Sequence, residues 1–591
     1  MKKILLATLG IFFAFAAFAR PVTVETARLV AQNFWKSRTS DGKVAFVEVS
    51  RDFGLQNMYV FNTVGNSGFV IVAADDVAIP VLGYSTTNGF TASREMGDNV
   101  RGWLEHYSEE IQVVTASGAT ADPETALEWQ NLINGVSPKG GNGAKSVEPL
   151  VSTQWDQGAP YNQLCPYDKV SGTNRRSVTG CVATSVSQVM KYWNWPIKGT
   201  GSYSYYCTSL SANSPTRQVS ANFDTVYRWD LMLEGGEVTP TGSWTAEQKK
   251  AVATLMLHVG VAVKMSYSSI SSGAIPSEIA PALKNYFYYS NSMSSVYKDS
   301  YTDAVWQTKI KTDIDAGCPI IYGGAKNVQG EDGHSFVLDG YDNTGKYHFN
   351  FGWSGDKDGY YALSSIVTGG GGIGSVSYDF TYNQHAVFGV KPGLQTSQSF
   401  TVSESTRLGR SVSGSCTFRN TSFKAFSGYL GVAAYSLDGE FLTIMSKTAS
   451  ISLGANATRT LNVSYLAGAP LAAGNYIAKA VVSVDGENWR PLVVGYNNCD
   501  TEVPFTITPP SQGIDQVETA GFAVKIFPNP SSGNFTVEAD GLQKVEVIDA
   551  IGRVVLTQAD GDVDMGSLSN GIYSVRVTAN GSTVVKKIAK R

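Results

Sequence analysis

Few groups in this chain could do nucleophilic chemistry, and one cysteine stands apart from the rest. There are six cysteines (Cys165, Cys181, Cys207, Cys318, Cys416, Cys499) and five histidines. Cys181 lies in "TGCVATSVSQVMKYWNWP", straight after Thr179 and Gly180. Val182, Val186, Val189, Met190 and Trp193 follow it at the spacing of one helix face. Pro196 closes the segment, because proline cannot continue a helix. Cys181 therefore falls at the first turn, where unpaired backbone N–H groups and the helix dipole favour an anion. A thiol there is expected below its free pKa of about 8.5, and the thiolate is the reactive form. Gly180 lets the backbone come close to a substrate. The competing reading is a small buried residue at a helix start.

A thiolate nucleophile needs a proton partner. His106 lies in an N-terminal module, His258 inside the apolar "TLMLHVGVAV" reads as packed core, and His348 and His385 lie in strand-like text. His334 differs, since it follows Gly333 at the start of a strand in "GEDGHSFVLDG", with "KYHFNFGW" next. If the connecting loop centres on Asp342, residue 334 lies opposite residue 350, and opposed residues share a sheet face. Asn350 could then hold the imidazole as third member of a Cys-His-Asn set. The alternative is a solvated edge histidine with Asn350 in a turn.

Other clusters carry less. "TGGGGIG" (368–374) lacks Lys-Ser/Thr and opens no helix, which excludes a phosphate loop. Asp339 with Asp342, and Asp356 with Asp358, lack the calcium-loop pattern and read as solvated turn carboxylates. His334 and His348 lack two further ligands for zinc. No metal and no organic cofactor are expected.

The elements that must position these groups belong to a chain too long for one core, at 591 residues. Its net charge of −4 gives no electrostatic reason to expect nucleic acid or an anionic membrane as partner. Residues 1–19, with Lys2, Lys3 and a closing Ala17-Phe18-Ala19, read as a secretory signal peptide, and no later segment is apolar enough to span a bilayer. Residues 20–137 read as a small α+β module, and 138–149 as a Gly/Ser/Pro-rich linker open to cutting. From 150 to 393 helices come first and strands later. Residues 399–508 alternate as an immunoglobulin-like β-sandwich, and 514–591 are all-β. Export permits disulfides, and Cys416 with Cys499 could pair.

At this point the motifs carry a resemblance. "WDQGAPYNQLCP", "TGCVATSVSQVMKYWNWP", "LMLHVGVAVKMSY", "GHSFVLDGY" and "FNFGWSG…DGYY" occur in the same order as in streptopain-like secreted cysteine peptidases, which have a papain-like α+β fold. The likeness spans residues 20–393. It implies that Cys181 is the nucleophile, His334 its general base and acid, Gln157 the oxyanion-hole glutamine, and Asn350 the residue that orients the histidine. Acyl transfer makes an oxyanion, and losing one fixed donor to it costs on the order of 100–1000-fold in rate. The family typically shows tryptophan after the asparagine, where this chain has Phe351; Trp353 remains as an aromatic cover. Gly180, Gly333 and Trp353 are candidates for the substrate cleft, and the resemblance places the glycine-rich loop near it.

"YVFN…GFVIVAADD…PVLGYS" is similar to the family's inhibitory prodomain. "FPNPSSGNFTV", "VIDAIGRVV" and "GIYSVRV" resemble the C-terminal sorting domain read by the type IX secretion system of Gram-negative bacteria. The expected product is a secreted cysteine endopeptidase zymogen acting on proteins or peptides and inhibited by its own prodomain. It is cut between Pro138 and Leu150, with Lys145 a candidate site. Its secretion machinery delivers it outside the cell or to the outer-membrane surface. A peptidoglycan amidase or transglutaminase would share the Cys-His-Asn set, and an adhesin with a disabled peptidase domain is the non-enzymatic alternative.

Overall fold

The structure, a computed structural model, describes residues 20–39, 44–90, 96–137, 145–170, 172–325, 333–366, 383–510 and 523–591. The expected signal peptide, most of the linker and the glycine-rich loop lie outside them. The chain falls into two compact units. One holds residues up to 402 with 413–464 and 477–504, the other 403–412, 465–476 and 505–591.

In the first unit, α1 (Val24–Arg38) starts at Thr23, whose side chain accepts from Thr26 N and satisfies one of the free donors of the first turn. It buries Ala27, Val30, Ala31, Phe34 and Trp35, a single face at helical spacing. Strands β1 (Phe46–Glu48), β2 (Met58–Thr63), β3 (Phe69–Ala73) and β4 (Val81–Ser85) follow, then α2 (Asp98–Ala116) and α3 (Pro123–Ile133). The region beyond the linker gives α4 (Cys181–Trp193), α5 (Ala246–Ala262), α6 (Ile279–Tyr286) and α7 (Asp303–Asp315). Its main strands are β5 (Ser294–Tyr297), β6 (Ile320–Gly324), β7 (His334–Tyr341), β8 (Tyr347–Asn350), β9 (Gly359–Tyr361) and β10 (His385–Phe388).

All ten strands make one antiparallel sheet in the order β1-β2-β3-β4-β9-β8-β7-β6-β10-β5. The join between N-terminal module and later region is β4 on β9, where Tyr84 pairs with Tyr360 and their rings stack at 5.2 Å. The core is shared as well: Trp103 of α2 meets Phe336 and Phe349 edge-on at 5.5 and 5.0 Å, each such pair contributing about 0.5–1.5 kcal/mol beyond its burial.

The carboxylates expected in solvated turns are instead buried. Asp339 accepts from His348 Nδ1 at 2.6 Å. Asp342 accepts from Arg38 at 3.1 Å and from Tyr84 at 2.9 Å, both residues of the N-terminal module. Asp356 is bonded to Lys357, and Asp358 accepts from Phe351 N at 2.8 Å, with burial pushing its carboxyl up to about 7. A turn sequence does not announce that another module will cover it. The six cysteines are unpaired thiols, Cys416 and Cys499 included.

In the second unit, strands Val554–Gln558, Leu542–Ile548, Gly571–Ala579 and Ser582–Lys590 pair in that order. Beside them a three-stranded sheet carries Phe535 and Val537, which share a core with Val545, Val547, Val575 and Val577.

The last residues of the expected linker, from Lys145 on, are pinned to the later region. Val147 and Tyr341 exchange both backbone hydrogen bonds, at 2.9 and 3.0 Å, and Asp339 takes Leu150 N and Val151 N at 3.1 and 2.7 Å. Lys145 Nζ is held by Asp315 at 2.8 Å. A protease needs an extended, unpaired stretch, so activation cutting should fall upstream of Lys145. N-terminal sequencing of processed protein should find a start within residues 139–145; a start beyond Val147 would contradict this.

Candidate functional site

Gly180 opens α4 with φ 86° and ψ 147°. A Cβ there would stand 2.6 Å from the Ser272 carbonyl oxygen and 2.9 Å from Met265 Sδ, so the position needs glycine for its backbone angle and for space. Thr184 Oγ1 donates to Gly180 O at 3.0 Å and lies 2.9 Å from Thr179 Oγ1, which fixes the turn before Cys181. One turn on, Ser185 Oγ meets Ser335 Oγ at 2.8 Å and seats α4 on β7. The Cys181 thiol consequently faces the backbone N–H of Ser335, the neighbour of His334.

The expected lowering of the thiol pKa is absent. Burial pushes Cys181 up, and this outweighs the backbone N–H groups of Ser335, Val182 and Cys181 itself, which act the other way. The Asp98 carboxylate at the start of α2 adds to the upward push. The Cys181 thiol is thereby held toward its protonated form, although the residue is only half-buried.

Helix α2 also occupies the space around the histidine. His334 is 8% exposed, and its ring lies so close to Gly102 that a Cβ at 102 would overlap Nε2 and Cδ2. Asn99 Nδ2 donates to Phe351 O at 2.6 Å, while Asn99 Oδ1 accepts from Trp353 Nε1 at 2.6 Å. A Cβ at Gly97 would overlap the Trp353 indole. Trp353, expected as an aromatic cover over the His334–Asn350 hydrogen bond and as a cleft residue, is thus held by the N-terminal module. Gly333 is exposed and no described atom lies within 4 Å of where its Cβ would be.

Asn350 is placed differently from expectation. The β7–β8 turn centres on Thr344, and Asn350 pairs with Val337, not with residue 334, after an irregularity at Asp339. Its Nδ2 donates to Thr153 O at 2.6 Å, and its Oδ1 accepts from Gln188 Nε2 at 3.0 Å and Gly352 N at 3.1 Å. In this state it braces a loop. Gln157 sits on that loop, 6% exposed, with its carbonyl oxygen taking Thr179 N at 3.1 Å, two residues before the nucleophile. Asp156 steadies the same loop through Gly158 N at 2.9 Å and Ser354 Oγ at 2.8 Å.

Sequence reasoning missed Gln188, Asn99 and Gly102. Gln188 was visible as a polar residue seven positions after Cys181, two turns along the same helix face. Asn99 and Gly102 gave no local signal, because their roles exist only once α2 is docked. The arrangement gathers a thiol, an imidazole on the neighbouring strand and a loop amide, with a helix of another module laid over them.

Family models match the chain in three places: the peptidase C10 family over residues 155–361, the Spi protease inhibitor over 19–111, and the secretion system C-terminal sorting domain over 525–591. The chain is 32% identical over 364 residues to streptopain of Streptococcus pyogenes, covering 60% of this chain and 85% of that one. It is 31% identical over 383 residues to the thiol protease/hemagglutinin PrtT of Porphyromonas gingivalis, covering 63% of this chain and 42% of that protein. It therefore spans less than half the length of that relative. A solved fragment of prointerpain A from Prevotella intermedia is 31% identical and is covered over 99% of its length, 59% of this chain, with a TM-score of 0.47.

Two measurements follow from the docked helix. Iodoacetamide should label Cys181 in the proform only slowly at neutral pH, with the labelling profile moved to higher pH than in processed enzyme; coincident profiles would contradict the burial argument. Residues 20–137 carrying Gly102→Val, added to processed enzyme, should inhibit at least about tenfold more weakly than the unaltered module, since the new side chain overlaps the His334 ring.

Proposed function

Since the chain belongs to the peptidase C10 family, we propose that the catalytic centre of this cysteine endopeptidase zymogen is Cys181 with His334, assisted by Gln157 and Asn350. The observation that carries the reading is the seating of the half-buried Cys181 thiol at the head of α4 beside the first residues of β7, with α2 placing Asp98 near the sulfur and Gly102 against the His334 ring.

Once α2 leaves, the thiol is rehydrated and the His334 ring is free to take its proton. The sulfur attacks a peptide carbonyl carbon, and the oxyanion is met by the Gln157 side-chain amide and the Cys181 backbone N–H. The imidazolium gives its proton to the departing amine as the C–N bond breaks. Water, deprotonated by the same imidazole, then cleaves the thioester and restores the thiol. Asn350 orients His334 in the released enzyme, a role the family resemblance implies; in the zymogen its side chain is engaged elsewhere. Gly180, Gly333 and Trp353 border the cleft. No organic or metal group is needed for any of these steps.

The substrates are proteins or peptides, and the N-terminal module is the intramolecular inhibitor; the inhibitor match over 19–111 supports this. That module also weighs against the amidase, transglutaminase and adhesin readings, since a plug over the thiol suits an enzyme able to digest its maker. The sorting-domain match supports export by the type IX route, to the exterior or the outer-membrane surface. No helix among the described residues is long and apolar enough to cross a membrane.

Cys181→Ala and His334→Ala should each abolish casein cleavage and self-processing. Gln157→Ala should lower kcat by about 100–1000-fold. Normal cleavage by the Cys181→Ala protein would end the proposal.

A further inference from the structure

One buried amide joins the parts that must keep their spacing for the reaction. Gln188 lies on α4 seven residues after Cys181 and is fully buried. Its Oε1 accepts from Thr153 Oγ1 at 3.1 Å and from Trp155 N at 3.3 Å. Its Nε2 donates to Asn350 Oδ1 at 3.0 Å. Asn350 Nδ2 in turn donates to Thr153 O at 2.6 Å, which closes a ring of hydrogen bonds through Thr153, Gln188 and Asn350. Thr153 and Asn350 are each 2% exposed, so the ring is dry. Gly352 is pressed against the same helix face, where a Cβ would come 2.8 Å from Thr184 Cγ2.

We propose that Gln188 is a positioning residue, whose amide sets where the loop carrying Gln157 stands relative to the helix that carries Cys181. The proposal rests on Gln157 being the oxyanion donor. Trp155, which Gln188 holds by its backbone N–H, is two residues before Gln157, and Asn350 is the last residue of β8. An apolar side chain at 188 cannot hold Thr153 Oγ1 or Trp155 N, and the loop is then free to shift, whereas Asn350 keeps its bonds to Thr153 O and Gly352 N. The nucleophile itself is untouched, because Cys181 is set by Gly180, Thr184 and Ser185.

The test compares Gln188→Leu, Gln157→Ala and the double variant, each processed from the full proform by immobilised wild-type enzyme and assayed on a peptide amide substrate. A displacement of about 1 Å can cost on the order of 100-fold in rate. Gln188→Leu should accordingly lower kcat by about 10–100-fold, with KM within about twofold. Alkylation of Cys181 by iodoacetamide, which makes no oxyanion, should stay within about twofold of wild type. The double variant should be no more than about threefold slower than Gln157→Ala alone, because a donor already absent cannot be misplaced. Wild-type kcat for Gln188→Leu, fully additive losses, or alkylation falling in step with kcat would each overturn the proposal. If Gln188→Leu yields no folded proform, Thr153→Val removes one donor to the Gln188 amide and should lower kcat by about 3–10-fold at unchanged alkylation; no change there overturns it equally. A Gln157→Ala enzyme of normal kcat would instead strike the assignment of Gln157. An impaired Gln157→Ala enzyme beside a normal Gln188→Leu enzyme would strike this inference alone.

Discussion

The docking of α2 across the start of β7 governs the state of everything else in the centre. Four residues of that helix meet four different features: Asp98 acts on the thiol, Asn99 ties the Phe351 carbonyl to the Trp353 indole, Gly102 admits the His334 ring, and Trp103 packs on Phe336 and Phe349. Two electrostatic effects compete at Cys181. A helix N-terminus favours the thiolate by typically 0.3–1 kcal/mol when exposed. Loss of water around a buried ionisable group can move its pKa by several units, each worth about 1.4 kcal/mol. Desolvation is the larger effect at Cys181 and pushes its thiol up.

This docking rests on contacts remote from the linker. Strand β4 pairs with β9, and Tyr107 of α2 donates to Ala362 O. Glu110, fully buried, accepts from Ser364 Oγ at 2.8 Å, from Ser365 N at 2.5 Å and from Ser365 Oγ at 2.6 Å, with His106 beside it at 3.0 Å. On separation these groups exchange their bonds for water, at a net cost of about 0.5–1.5 kcal/mol for each neutral bond and roughly 1.5–3 kcal/mol for each bond to a charged group. The module is thus held by noncovalent contacts that do not depend on the linker.

Much of this was legible in the residues. The apolar stripe after Cys181 defined α4 and put the cysteine at its head. The strand text around "GHSFVLDG" and "KYHFNFGW" gave β7 and β8 as neighbours. The register was misjudged because the irregularity at Asp339 and a turn centred on Thr344 shift the pairing, and a single strand pattern does not encode either. The buried carboxylates were misjudged for a different reason: Asp342 looks like a turn residue until Arg38 and Tyr84 arrive from some 300 and 260 positions away. Motif order identified Gln157, whereas residue chemistry alone did not single it out. The role of α2 was illegible in detail, since a glycine and an asparagine on an amphipathic helix have many uses.

What the zymogen withholds is therefore narrow. The hydrogen bonds of Gln188 run to Thr153, Trp155 and Asn350, none of them in the N-terminal module, and Gly180 fixes the head of α4 through Ser272 and Met265, again outside it. The head of α4 and the loop of Gln157 are tied to each other by contacts in which α2 takes no part. The His334 ring differs, because α2 lies against it at Gly102. Under the proposed function, withdrawing this one helix opens space at His334 and takes the Asp98 carboxylate away from the Cys181 thiol, so relief of inhibition and easier ionisation of that thiol share one physical step.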